Sequence, residues 1–145
     1  ETSFGTLDWG RGVWTYDNTW YWGNGNGFVN GKPFGFNIGY GFGNTSAASE
    51  NLLLYGGVAH KLSRVQFNTP EESFLKPWTF SSEDGRFEMD FVPVIDRAAR
   101  TNALIIESDQ HQVFGRFTGR AVLDDGTALE LKDFLGFAEK VRNRY

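Results

Sequence analysis

The chain has 145 residues, enough for one domain with a real core, and it contains no cysteine. That excludes disulfide frameworks, thiolate nucleophiles and cysteine-ligated zinc. A net charge of −4 with scattered Arg and Lys argues against nucleic acid or an anionic membrane as partner, since no basic stripe displaces counterions.

No apolar run reaches the length of a membrane span. With no cysteine and no signal peptide, the chain is expected to be cytoplasmic. It begins at Glu1 rather than Met, which predicts a fragment, a processed form or a trimmed version of a protein. Its 18 glycines and 17% aromatic residues suit curved β-architecture.

Trp20–Phe28 and Pro33–Phe42 flank Asn30–Gly31, the strongest short-range signal for a hairpin with a two-residue turn. That turn predicts Trp22 opposite Gly39, Trp20 opposite Gly41, Asn24 opposite Asn37 and Gly25 opposite Phe36. Most glycines then lie across from a ring or a branched residue, which fills the missing volume and lets a sheet bend. One face collects Tyr21, Phe34, Phe36, Ile38, Tyr40 and Phe42 and reads as core. The other carries Trp20, Trp22, Asn24, Asn26 and Asn37, which suits either a pocket lining or a solvated surface.

Three further hairpins follow. Asn51–Tyr55 and Val58–Val65 flank Gly56–Gly57, and Trp78–Ser82 and Arg86–Val92 flank Glu83–Asp84–Gly85. The last joins Gln112–Leu123 to Thr127–Lys132 across Asp124–Asp125–Gly126. A strand at Asn102–Glu107 with a turn at Ser108–Asp109 precedes it. Asn68–Lys76 and Asp96–Thr101 read as connections, the former with room for one helical turn. Asp133–Tyr145 fits both a helical stripe and a strand.

No P-loop, GxSxG, HExxH or EF-hand pattern is present. His60 and His111 are the only side chains with an unperturbed pKa near neutral. His111 sits in the hydrogen-bonding run Ser108–Gln112. Glu50 and Glu139 each interrupt an apolar pattern, and either would gain a raised pKa if buried. Asp96–Arg97 reads as an ion pair or a turn cap. Nothing has metal-ligand spacing, so neither metal nor cofactor is expected. In Asp8–Trp14, Arg11 between Trp9 and Trp14 suits a carboxylate clamp or a latch that closes the sheet.

Leu7–Trp14, Phe34–Gly41, Ser46–Asn51 and Asp109–Gly115 closely resemble the bacterial family catalogued as domain of unknown function 2804. Its members are about twice this length, which implies that this chain is the C-terminal half of a tandem-barrel protein. The family is in turn distantly similar to the lipocalin-like proteins that include the hydratase hydroxyneurosporene synthase. There a Gly-rich segment ending in an acidic residue closes the second barrel. Leu135–Glu139 resembles that segment, which tips the tail toward a strand.

Together these readings predict an all-β, antiparallel, lipocalin- or calycin-like barrel, or a strongly curved sheet, of about nine or ten strands. The leading functional expectation is a small, largely apolar ligand in the barrel mouth, lined by Trp9, Arg11, Trp14, Trp20, Trp22, Asn24 and Asn37. Metal-free hydration, isomerisation or elimination would run through Glu50, His111 or Glu139. The alternatives are a carbohydrate-binding or carbohydrate-active domain with Trp stacking, and a structural half-domain packed on its N-terminal partner.

Overall fold

Asn30 and Gly31 both adopt positive φ, +50° and +74°, the backbone twist that a two-residue hairpin turn requires. In the computed structural model, which describes residues 3–144, they join β1 (Asp17–Val29) to β2 (Lys32–Tyr40). The register is the expected one, with Asn24 opposite Asn37 and Gly25 opposite Phe36. The ladder stops at Tyr40, short of the expected Trp20–Gly41 pair. Gly41, at φ +92°, turns the chain aside. Phe42 is thereby carried off the core face to meet Trp14 and Trp20, at 4.2 and 5.0 Å between ring centroids.

The remaining strands are β3 (Leu52–Tyr55), β4 (Val58–Lys61), β5 (Val65–Asn68), β6 (Trp78–Ser82), β7 (Phe87–Ala103), β8 (Ile106–Val122) and β9 (Ala128–Arg144). All pairings are antiparallel, in one nine-stranded sheet of order β4-β3-β2-β1-β9-β8-β7-β6-β5. The Leu53–His60, Trp78–Phe91 and Phe80–Met89 pairs follow the expected registers. Among the described residues there is no helix, and so none long and apolar enough to cross a membrane. Asn68–Lys76 holds only a turn, closed by the Lys76 N–H on the Ser73 carbonyl.

Three expectations are corrected. Val58–Val65 is not one strand: β4 ends at Lys61 and β5 starts at Val65, on opposite edges of the sheet. Asp96–Thr101 is not a connection, and the turn is not at Ser108–Asp109. Strands β7 and β8, 17 residues each, run through both and turn at Leu104–Ile105, with Leu104 at φ +58°. No Gly, Asn or Asp marks that turn. The tail is strand, as β9.

The curl of this sheet has a local cause. Gly25, Gly136 and Gly115 stand in register across β1, β9 and β8. A Cβ added to each would lie 2.7, 2.9 and 2.5 Å from the rings of Phe36, Phe117 and Phe91, respectively. Backbone therefore touches ring where side chains would hold them apart. These rings and those of Trp78, Phe80 and Phe87 are fully buried, each contributing roughly 1.5–3 kcal/mol. Phe117 is the hub, with Phe91 at 4.5 Å, Phe36 at 4.9 Å and Phe80 at 5.3 Å between centroids.

Only Leu62–Arg64 links the two edge strands, so at that corner the edges lie within roughly 14 Å, the reach of four extended peptide units. A polar seam joins them. Buried Asn51 accepts the Gly39 N–H at 2.6 Å and donates to the Ser63 carbonyl at 3.2 Å. Ser63 and Asp84 exchange hydrogen bonds of 3.0 and 2.9 Å. Arg86 donates to the carbonyls of Lys61 and Val122 and to Asp124, at 2.9, 2.9 and 2.6 Å. His60 sits here as well: its Nδ1 accepts the Asp124 N–H at 3.2 Å.

Gly136→Ala would place its Cβ 2.7 Å from the Asn24 carbonyl oxygen and 2.9 Å from the Phe117 ring. Such overpacking costs about 1–3 kcal/mol, which urea unfolding should register. Gly10→Ala meets nothing within 4 Å and should stay within about 0.5 kcal/mol of the parent. Asn51→Ala leaves the buried Gly39 N–H and the half-buried Ser63 carbonyl unpaired and should cost about 1–3 kcal/mol. Equal midpoints for all three variants would remove both features from their role.

Candidate functional site

Strands β7, β8, β9 and β1 outrun the short strands, and their extended end carries charge instead of rings. Because side chains alternate, Tyr21, Lys140 and His111 form one cross-strand row on the core side, beyond Ala138 and Val113. Thr19, Arg142 and Asp109 form the next row out. They border an open cleft of about 520 Å3, completed by Asp17 and by Phe74 from the loop before β6.

The His111 ring is fixed on two sides. Its Nδ1 lies 2.7 Å from Asp96 Oδ2, and Phe74 stacks on its face at 4.0 Å between centroids and 27° between planes. Phe74 is pinned in turn by the Trp78 indole N–H, 3.0 Å from its carbonyl. An ionised carboxylate only accepts, so the Asp96 contact suits the tautomer with Nδ1–H, which leaves Nε2 for other partners. Nε2 lies toward Asp109, 3.5 Å from Oδ1. The second Asp96 oxygen, Oδ1, is buried without a hydrogen-bond partner.

Lys140 crosses the same cleft. Its Nζ sits 5.6 Å from the Tyr21 ring centroid and 6.0 Å from that of Phe74. At the rim, Arg142 grips Asp17 with two bonds, 2.8 and 3.1 Å. The Arg142 guanidinium holds the Asp17 carboxyl below its usual range.

Residues 1–145 match the family model described as Domain of unknown function (DUF2804). The chain belongs to this family. No curated protein and no solved structure matches it.

Of the site residues expected from sequence, only His111 lines the charged cleft of this DUF2804 domain. Trp20, Trp22, Asn24 and Asn37 project from the opposite face of the sheet, not into its interior. There the amides spend their bonds on one another. The Trp22 indole donates to Asn37 Oδ1 at 2.8 Å, Asn37 donates to Glu50 Oε2 at 2.9 Å, and Thr6 donates to Asn24 Oδ1 at 2.6 Å. Nor do the tryptophans make an open stacking platform. Trp20 packs edge-on against Phe42, and Trp22 against Phe137 at 4.8 Å. Trp9, Arg11 and Trp14 lie in the irregular, exposed segment before β1, with Trp14 against Phe42.

The three expected proton carriers are not brought together. Glu50 is exposed beside Asn37. Glu139 pairs with Gln112, one residue from the Lys140–His111 pair, and so points to the outer face. Its carboxylate takes bonds from the Trp20 indole at 3.3 Å and from Gln112 at 3.1 Å, beside a small cleft of about 220 Å3. A further outer cleft of about 400 Å3, under residues 3–6, has no titratable lining. Asp96 partners His111 rather than Arg97. Sequence reasoning missed Lys140, Asp109 and Phe74; the register of the Asp124–Gly126 turn, carried straight on, would set Glu139 opposite His111, and only the shift between Phe117 and Gly119 brings Lys140 there.

Burial pushes the Glu139 carboxyl above its ordinary value of 4.5; bonds from Gln112 and Trp20 oppose the rise, and Asp8 adds to it. The unfolded chain releases this proton at lower pH than the folded one. Between the two values the folded state holds the extra proton, so stability falls as pH rises through that window. Glu139→Gln, which cannot titrate, should therefore gain stability over the parent as pH climbs above 4.5, relative to the difference between the two at lower pH. Urea midpoints of both proteins at acid and neutral pH test this; a gap constant with pH would refute it.

Proposed function

We propose that this domain binds a small molecule in the open-end cleft and moves a proton on it through His111, with Asp96 orienting the imidazole. The observation that carries the reading is the setting of one ring. His111 is held 2.7 Å from Asp96 and 4.0 Å from Phe74, with Nε2 left for exchange beside a cleft of about 520 Å3. A neutral imidazole takes a proton at Nε2 and its cation returns one. That serves hydration, elimination and isomerisation, which need no net oxidation.

The apolar part of the ligand would rest on Phe74 and Tyr21, while charged groups edge the rest of the cleft. The resemblance of Leu135–Glu139 to a segment of the lipocalin-like hydratases would point to the same reaction class, by analogy only. A second domain of the same chain is a further part of the proposal. Leu7, Trp9 and Val13 stand 95%, 80% and 99% exposed, an apolar set that a partner would cover.

Mass spectrometry of a small-molecule extract incubated with the full chain in deuterated water tests the reading. The expected result is a compound consumed or deuterated by the parent, with the rate falling about 10²–10⁴-fold in His111→Gln and in the same direction in Asp96→Asn. A compound retained unchanged would leave binding and remove the chemistry. If nothing were bound or changed, the reading would fail.

A further inference from the structure

We infer that the molecule held in this cleft is a flat, unsaturated carboxylate, with Lys140 as the residue that takes its carboxylate. The inference rests on the cleft being the ligand site. Lys140 is set apart from its neighbours by what it lacks. Arg142 is committed to Asp17 at 2.8 and 3.1 Å, and Arg100 and Arg144 both lean on Glu107, at 3.2 and 3.4 Å. Among the described residues, no carboxylate lies within 4.0 Å of the Lys140 ammonium.

Instead its charge rests between the rings of Tyr21 and Phe74, half-buried on the core side of the sheet. Rings partly offset the lost water around an ammonium but do not neutralise it. The carboxylates facing the cleft do not supply that charge. Asp17 is spent on Arg142, Asp96 on His111 Nδ1, and Asp109 lies one row further out, 3.5 Å from His111 Nε2.

Two further observations narrow the class. The Phe74 ring lies against the imidazole at 27° and beneath Lys140, so aromatic surface adjoins the free cation and favours a flat, conjugated group there. The one guanidinium fork in the lining, that of Arg142, is already filled by Asp17. A single ammonium suits a monoanion, whereas a phosphate dianion draws on more than one donor group. Lys140 and His111 share a row, so a carboxylate on the first brings the adjoining unsaturated carbons toward Nε2 of the second. Lys140 is thus a positioning and specificity residue.

Calorimetry and amide NMR of the full chain with cinnamate, cinnamyl alcohol and phenyl phosphate test this. The expected result is cinnamate binding about tenfold or more tighter than the alcohol of the same shape, with shifts at Tyr21, His111 and Lys140. Lys140→Met should abolish that preference by weakening cinnamate, without lowering the melting temperature, and Lys140→Arg should retain it. Equal binding of acid and alcohol, with shifts in the cleft, would overturn the carboxylate and leave the site standing. Tighter binding of phenyl phosphate would overturn it in favour of a phosphate. If none of the three moved cleft resonances, this inference and the cleft reading would fall together.

Discussion

The fold depends on one contact: aromatic rings lying directly on strand backbone. Gly25, Gly136 and Gly115 cross three adjacent strands in a row, and the rings of Phe36, Phe117 and Phe91 occupy the space their side chains would fill. A glycine in a strand gives up packing and costs conformational entropy. Here the ring recovers the packing, and the missing Cβ atoms let the sheet close around its own core. Without Gly136, Phe117 could not stand at the centre of the ring cluster with β9 passing beneath it.

Curling brings two polar edges together, and the two ends of the sheet solve the resulting problem differently. At the end carrying the Glu83–Gly85 and Asp124–Gly126 turns, Asn51, Ser63, Asp84 and Arg86 satisfy backbone groups that would otherwise be left unpaired. At the other end the four long strands continue past the core, and among the described residues no second sheet faces them. The same inward-facing positions that hold Val113 and Ala138 in the core hold His111 and Lys140 two residues further along. A cleft with fixed charges is the outcome, and Phe74 joins it to the apolar interior.

Strand alternation then divides the chemistry. Glu139 and Lys140 are neighbours in the chain, yet one is buried on the outer face beside Trp20 and Gln112 while the other enters the cleft. A single ligand cannot meet both. On the outer face indoles and amides satisfy one another, and this explains how Asn24 and Glu139 are buried there.

The chain of amino acids alone determined the β class, the first hairpin and its register, and the core face of that hairpin. Each rests on local physics: positive φ at Asn30–Gly31, and a side-chain period of two. It also named His111, alongside Glu50 and Glu139, as a candidate proton carrier. What it did not carry was the Leu104–Ile105 turn, which has no turn residue to announce it, and so the true length of β7 and β8. It placed Trp20, Trp22, Asn24 and Asn37 at a barrel mouth, because indoles mixed with amides on the face away from the core suit a pocket lining and an outer surface alike. Only the tertiary structure decided that, by curling the glycine row inward. It also placed Asp96, Phe74 and Lys140 around His111, because those contacts join residues from three strands and a loop, and no local rule links them.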